Sequence, residues 1–149
     1  MRRIFLLTIF AALTMVQCSN SSSKNIDATI DSSAIDYDYL KEMHVNWFDI
    51  LNLSINDYYV YIYSKSCGHC NQIKETILNY ALDDRIILRF CEFTDEIPLK
   101  SSINPYEIVC SIDDIGILGT PTLLHINNSC LIYNLAGSNN IVSYLTSIL

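Results

Sequence analysis

Basic residues, glycine and proline are all scarce in this chain of 149 residues, which has four glycines and three prolines. Nine Lys and Arg stand against sixteen Asp and Glu, for a net charge of −7, and the only basic cluster is Arg2-Arg3. Binding to nucleic-acid phosphates needs concentrated positive charge, so an electrostatic nucleic-acid binder is excluded. Half of the residues are hydrophobic and 17% are charged, which excludes a disordered chain.

The apolar stretch that follows Arg2-Arg3 is too short to cross a bilayer as a helix, which takes about 20 residues. It runs from Ile4 to Val16, thirteen residues, and matches the apolar region of a signal peptide. It ends in Gln17-Cys18, where the sequence resembles a bacterial lipoprotein signal. That resemblance implies that residues 1–18 are a signal peptide ending at a lipidated Cys18.

We therefore expect an exported, extracytoplasmic protein that its N-terminal lipid holds at the membrane. Gln17 stands where a lipoprotein signal usually has a small residue. An uncleaved anchor, or cleavage elsewhere to give a periplasmic or secreted protein, therefore stays open. Residues 19–35 are rich in Ser, Asn and Asp and have little to bury, which predicts a flexible tether. The folded domain is expected to span residues 36–149.

Hydrophobic periodicity predicts an α/β domain. Asp36 can cap a helix whose apolar positions run from Leu40 to Leu51. Strands are predicted at 58–63, 85–93, 120–126 and 130–135, and helices after Cys67, at 106–111 and at 138–149. The first strand, the helix after it and the next strand form a βαβ unit, which favours a parallel pair and a right-handed crossover. The last two strands predict an antiparallel hairpin.

Cys67-Gly68-His69-Cys70 lies between the first strand and the following helix. At the first turn of that helix, backbone N–H groups and the positive end of the dipole favour the thiolate of Cys67, the form of cysteine that attacks. His69 can add positive charge or a hydrogen bond. Gly68 keeps bulk away from the sulfur. Cys70, one turn further on, is placed to resolve a mixed disulfide, so the motif predicts a thioredoxin-like redox pair.

Two other interpretations of the motif compete with redox exchange. A structural zinc site needs a second pair of ligands at suitable spacing, and neither a second C-x-x-C nor an H-x-x-x-H occurs. A static disulfide over so short a ring removes little chain entropy. A non-catalytic surface lipoprotein with a closed disulfide and a thiolate metal carrier remain as alternative functions. We expect no metal or other cofactor.

The region 36–149 resembles the thioredoxin superfamily in three features. These are the hydrophobic strand before the motif, the CGHC sequence found in protein disulfide isomerase domains, and Gly119-Thr120-Pro121-Thr122 before a hairpin and terminal helix. The resemblance implies a three-layer α/β/α fold with a mixed central sheet. It also implies that Pro121 follows a cis peptide bond beside the cysteines and that the Thr120 backbone pairs with an extended client peptide.

The function expected from this resemblance is that of an extracytoplasmic thiol–disulfide oxidoreductase. It would exchange disulfides with client proteins through Cys67 and Cys70 and would need a redox partner of its own. Tyr61 stands where reductases and isomerases of the superfamily often have a buried acid, and Ser66 where they usually have Trp. The direction of electron flow therefore stays open.

Three further cysteines are Cys91, Cys110 and Cys130. An exported protein can bridge two of them. Because Cys91 and Cys130 both fall in apolar strands, we expect these two to be buried, inert thiols.

Overall fold

The computed structural model describes residues 36–83 and 85–148. The signal peptide with its lipidated Cys18 and the tether over residues 19–35 lie outside the described residues and stay predictions. Within the described ranges, no helix is long and apolar enough to cross a membrane.

The centre of the domain is a mixed sheet of four strands. The strands are β1 (Asp57–Tyr63), β2 (Leu88–Glu92), β3 (Thr122–Asn127) and β4 (Cys130–Ala136), in the spatial order β2-β1-β3-β4. β1 pairs in parallel with β2 and antiparallel with β3, and β3 and β4 are antiparallel. The predicted parallel pair and hairpin are thus confirmed. β1 is an inner strand and all of its residues except Asp57 are buried, which explains its apolar character on both faces.

Two α-helices, α1 (Gly68–Ala81) and α2 (Ser138–Ile148), pack on one face of this sheet. They bury side chains at three- and four-residue intervals, as an amphipathic helix does. The buried side chains of the two helices in this cluster are Cys70, Ile73, Ile77, Leu78, Ala81, Ile141 and Leu145. The packing fixes the first turn of α1 against the end of β1, where the Cys pair lies.

The other face is covered by 3₁₀ and irregular segments rather than by an α-helix. A second buried cluster there joins Trp47, Ile50, Leu51, Tyr58, Val60, Ile62, Cys91, Ile97, Ile115, Ile117, Leu124, Ile126 and Leu131. Its outer wall includes the 3₁₀ helices Trp47–Asp49 and Ile112–Asp114. The sheet is therefore covered on both faces, as expected for a three-layer α/β domain. Cys91 is buried among these side chains as a free thiol, as predicted.

The single helix predicted between Asp36 and Leu51 is wrong. Two 3₁₀ helices, Tyr37–Met43 and Trp47–Asp49, replace it. Between them the chain pairs with the edge of β2, where His44 bridges Phe90 and the Val45 N–H donates to Phe90 O at 2.8 Å. At this point the backbone N–H and C=O groups form hydrogen bonds with the open edge of the sheet instead of with each other in a helix. The apolar spacing alone predicts the helix. The cap is confirmed, because the Asp36 carboxylate accepts from the Tyr37 N–H at 2.7 Å.

The short helix predicted at 106–111 is also wrong, as is the buried thiol predicted at Cys130. The chain turns at residues 105–106, and Val109 beyond the turn pairs with β4 through backbone hydrogen bonds with Leu131 at 2.9 and 2.8 Å. Next to them, Cys110 and Cys130 form a disulfide. The segment therefore covers part of the edge strand, and the disulfide holds it there.

Replacing both Cys110 and Cys130 by Ser is expected to lower the free energy of unfolding. The disulfide closes a loop over a sequence separation of 20 residues, which by chain entropy corresponds to about 3 kcal/mol. Urea denaturation of the oxidised proteins measures this difference. In excess dithiothreitol the two proteins should become nearly equal, and equal stability before reduction would show that the disulfide does not constrain the fold.

Candidate active site

Cys67 lies where the chain leaves β1 and enters α1. After Tyr63 the chain turns through residues 64–66, and Cys67 becomes the N-cap of α1 in an extended conformation. Its Sγ accepts a hydrogen bond from the Cys70 N–H at 3.1 Å. This is the bond that a Ser or Asp side chain usually makes at a helix start. The predicted place of Cys67 at the first turn of a helix is confirmed.

The surroundings of Cys67 favour its thiolate. Partial burial acts to raise its pKa, but hydrogen bonds from the side chains of Cys70 and Thr120 and from the backbone N–H groups of Cys70 and His69 outweigh that effect. The net result is a pKa below the ordinary value for cysteine. Hydrogen bonds to an anion at a helix N-terminus stabilise the charged form.

Cys70 lies in the opposite environment. Its side chain is fully buried beneath α1, and burial is the main cause that raises its pKa to about 11. The two sulfurs are one helical turn apart, yet one is accessible and readily ionised and the other is enclosed and protonated. The pair is therefore suited to attack by Cys67 followed by resolution by Cys70.

Gly68 and His69 are both exposed between the two cysteines. A Cβ built on Gly68 would meet no atom within 4 Å, so this glycine leaves open space in front of the pair. The His69 imidazole turns along the helix, with Nδ1 3.3 Å from Gln72 Oε1. The backbone N–H of His69 is the part of this residue that lowers the pKa of Cys67. The side-chain role expected for His69 therefore stays a prediction.

Thr120 and Pro121 lie directly beside Cys67. The peptide bond between them is cis, as the resemblance implied, and the Cys67 thiol donates to Thr120 O at 3.3 Å. The neighbouring turn is held by Thr122, whose hydroxyl donates to Gly119 O at 2.7 Å. Gly119 has φ +147°, a conformation that side chains disfavour. The structure thus brings four of the predicted site residues, Cys67, Cys70, Thr120 and Pro121, to one place.

An open groove lies between the CGHC loop and the start of α2. His69, Thr120 and Pro121 line it together with the first residues of α2, and its volume is about 290 Å³. The sequence does not predict that Asn139 and Asn140 of α2 line this groove. The local sequence at the start of a helix does not show which distant residues will pack beside it.

Tyrosine side chains pack around Cys70 in the buried cluster between α1 and the sheet. The Tyr37 hydroxyl donates to Cys70 O at 3.5 Å, and its ring stacks on Tyr63 at 3.9 Å between centroids. Burial raises the pKa of Tyr37 to about 12, so this hydroxyl stays protonated. Tyr61 is buried in the same cluster. Tyr61 is identifiable in the sequence from its place six residues before Cys67. Tyr37 is not, because it reaches the site through a contact between residues 33 apart in the chain.

No group of three or more His, Cys, Asp or Glu residues that could hold a metal ion occurs among residues 36–83 and 85–148.

The domain combines three features. It has a parallel β1–α1–β2 unit, an antiparallel hairpin followed by α2, and a cis-proline beside a Cys pair at a helix start. The fold is thioredoxin-like. The close Cys pair on this fold supports thiol–disulfide redox chemistry in general. The third layer differs most from the predicted α/β/α arrangement, because 3₁₀ helices and irregular segments form it instead of α-helices.

Comparison with known proteins finds no matching family model and no matching curated protein. Solved structures similar to this chain include thioredoxin f from spinach chloroplast, at 12% identity and a TM-score of 0.47, covering 71% of this chain and 91% of that one. Chlamydomonas reinhardtii thioredoxin f2 has 14% identity and a TM-score of 0.44, covering 70% and 94%. Thioredoxin from Aeropyrum pernix has 20% identity and a TM-score of 0.42, covering 63% and 76%. The sheet topology and the geometry of the site define the thioredoxin-like fold.

Iodoacetamide is expected to alkylate Cys67 well before the other free thiols. Because the pKa of Cys67 is lowered, its alkylation rate should reach its plateau at a lower pH than the rate of an ordinary cysteine does. Cys91, buried and with its pKa raised to about 11, is the internal control and should stay unmodified. Site-resolved mass spectrometry from pH 5 to 10 gives both rates. A Cys67 that titrates identically in native buffer and in urea would contradict the proposed thiolate stabilisation.

Proposed function

We propose that this chain is an exported, membrane-tethered thiol–disulfide oxidoreductase that exchanges disulfides with client proteins through Cys67 and Cys70. The observation that carries the proposal is the asymmetry of the pair. Cys67 is accessible at the N-cap of α1 with a lowered pKa, while Cys70 is buried with a raised one. A purely structural disulfide does not need one accessible, easily ionised cysteine and one buried, protonated cysteine. Two-step exchange does, because one sulfur attacks the client and the other resolves the mixed disulfide.

In the reducing direction, the Cys67 thiolate attacks one sulfur of a client disulfide. The client S–S bond breaks, its other sulfur leaves as a thiolate, and Cys67 is joined to the client. Cys70, as thiolate, then attacks Cys67 Sγ, which releases the second client sulfur and closes the Cys67–Cys70 disulfide. Two electrons pass to the client in all. The same steps in reverse transfer the closed disulfide to a client dithiol.

The loop before β3 gives the client a place to bind. Thr120 O lies 3.3 Å from Cys67 Sγ, so a client sulfur bonded to Cys67 must pass close to the Thr120 backbone. An extended client peptide can pair with backbone groups there as an added strand does. The open groove toward α2 provides space for the chain that follows. Thr120 and Pro121 would thus orient the client.

Replacing Cys67 by Ser is expected to reduce insulin-reducing activity to the uncatalysed background, because no thiolate attacks the substrate. Replacing Cys70 by Ala should leave the first step intact and trap the mixed disulfide, which a non-reducing gel detects. Cys91→Ala is the matched control, since Cys91 is a buried free thiol on the opposite face of the sheet.

Full activity in the Cys67→Ser variant would end the proposal. Thiol trapping at graded glutathione potentials provides the second measurement. A pair that stays oxidised until very reducing potentials would favour the closed, non-catalytic disulfide instead.

The export part of the proposal rests on the sequence of the first eighteen residues. Removing residues 1–17 takes Arg2 and Arg3 away and shifts the net charge from −7 to −9. So acidic a domain is repelled by anionic lipid headgroups, and membrane attachment would need the lipid at Cys18.

Replacing Cys18 by Ala is expected to abolish incorporation of a labelled fatty acid in a bacterial host and to move the protein out of the membrane fraction. Cys91→Ala, which also removes one cysteine, should keep both the label and the location. A Cys18→Ala protein that still takes up the label would show that lipidation occurs elsewhere or that this is not a lipoprotein signal.

A further inference from the structure

Three tyrosines of β1 point toward the helix-covered face of the sheet, and two of their hydroxyl groups have partners. Tyr59 Oη lies 3.4 Å from Tyr144 Oη, and Tyr63 Oη lies 2.9 Å from His44 Nε2. Tyr61, between them, is 0% exposed, and its hydroxyl has no hydrogen-bond partner within the described part of the chain. The unpartnered hydroxyl is thus the one in the middle of the strand, in the cluster that holds Cys70.

An unpaired hydroxyl in a packed core opposes folding. Removing it from water costs free energy that no hydrogen bond returns, and phenylalanine would fill the same space without that cost. Buried polar groups in native proteins nearly always have a partner, so an exception calls for a reason. After burial itself, Tyr37 and then Cys70 raise the pKa of Tyr61, through charge and through side-chain hydrogen bonding. Because neither group lies within ordinary hydrogen-bond distance of the hydroxyl, both lie just beyond its reach in this state.

The exchange cycle supplies a partner for this hydroxyl. In the dithiol form, the sulfur of Cys70 is a weak hydrogen-bond acceptor. When Cys70 ionises to resolve a mixed disulfide, its sulfur becomes a strong, charged acceptor inside a buried site. Tyr61 then has a partner in one state of the cycle that it lacks in the other.

We propose that Tyr61 donates a hydrogen bond to the Cys70 thiolate during resolution and so acts as a positioning residue for the second step of exchange. The inference rests on the proposed function, because it assigns a role within the Cys67–Cys70 cycle. Tyr61 is a donor and not a base, since burial holds its pKa far above that of the thiol that must ionise.

The resolving step balances with Tyr61 unchanged. The Cys70 thiol releases its proton to solvent base, and its thiolate attacks Cys67 Sγ. The bond between Cys67 and the client breaks, and the client sulfur leaves with the electron pair as a thiolate. The groups that act on Cys70 come from every element around it. Cys67 lies in its own helix, the Ser64 backbone lies just before that helix, and the Thr120 side chain lies in the loop before β3. Tyr37 in the first 3₁₀ helix and Tyr61 in β1 complete the set. Asp36 acts on Tyr37 from the surface, where it pairs with Lys74 at 3.6 Å.

The first test measures the pKa of Cys70 without any exchange reaction. In a Cys67→Ser background, the ¹³Cβ chemical shift of labelled Cys70 follows its ionisation. Adding Tyr61→Phe is expected to raise the pKa of Cys70, making the thiolate about tenfold scarcer at a given pH below that pKa. Tyr59→Phe, from the same strand and face, should leave it unchanged. The melting temperature of Tyr61→Phe should equal or exceed that of its parent, because an unpaired hydroxyl is lost.

The second test separates the two steps with an aromatic disulfide, 5,5′-dithiobis(2-nitrobenzoate). Attack by Cys67 releases the first thionitrobenzoate, and attack by Cys70 on the mixed disulfide releases the second. Tyr61→Phe should leave the first phase unchanged and slow the second about threefold at neutral pH. The loss is smaller than tenfold because a more basic thiolate is also a better nucleophile. The deficit should shrink as the pH rises.

The outcomes distinguish the inference from the function beneath it. Absence of a first phase in the unmodified protein would overturn the proposed function. A normal first phase with a second phase and Cys70 pKa that Tyr61→Phe leaves unchanged would overturn the inference alone. Equal slowing by Tyr59→Phe would also overturn it, since the effect would then belong to packing of the strand.

Discussion

The hydrogen bond from the Cys70 N–H to Cys67 Sγ is the interaction on which the site depends. It exists because β1 ends and α1 begins within a few residues, so that Cys67 takes the N-cap position. The same turn directs Cys70 inward, toward the sheet. One local geometry therefore produces an ionisable sulfur at the surface and a protonated one in the core. No charged side chain has to be placed near the pair to create that difference.

The parts of the fold that the sequence predicts are those that depend on neighbours in the chain. Apolar runs locate β1 and β2, the C-x-x-C spacing locates the start of α1, and the proline after Thr120 locates β3. The failures occur at 36–51 and 106–111, where helix-like patterns pair with open edges of the sheet instead. Sheet edges form only after the strands assemble, so no local pattern reports them. Tertiary pairing overrides local periodicity in both segments.

The residues of the candidate site also fall into those that the sequence predicts and those that only the folded structure shows. Cys67 and Cys70 follow from a local motif, and Thr120 and Pro121 follow from the resemblance, but Tyr37 has no sequence signal. It reaches Cys70 because the first 3₁₀ helix folds across the sheet face and stacks its ring on Tyr63. The Cys110–Cys130 disulfide is likewise a product of strand pairing, since two cysteines 20 residues apart become neighbours across the edge of β4.

The composition of β1 has a physical consequence that its hydrophobicity alone hides. Alternation along the strand sends Tyr59, Tyr61 and Tyr63 to the helix-covered face and the aliphatic side chains to the other, since side chains of a strand alternate. A purely aliphatic face would pack as well and would leave no polar atom to satisfy. Tyrosine instead provides rigid, bulky rings that pack in the cluster containing Cys70, together with hydroxyl groups that stay protonated. A neutral donor held in a buried site interacts strongly with a sulfur anion and only weakly with a thiol, so these hydroxyl groups can distinguish the two protonation states of Cys70 without carrying a charge themselves.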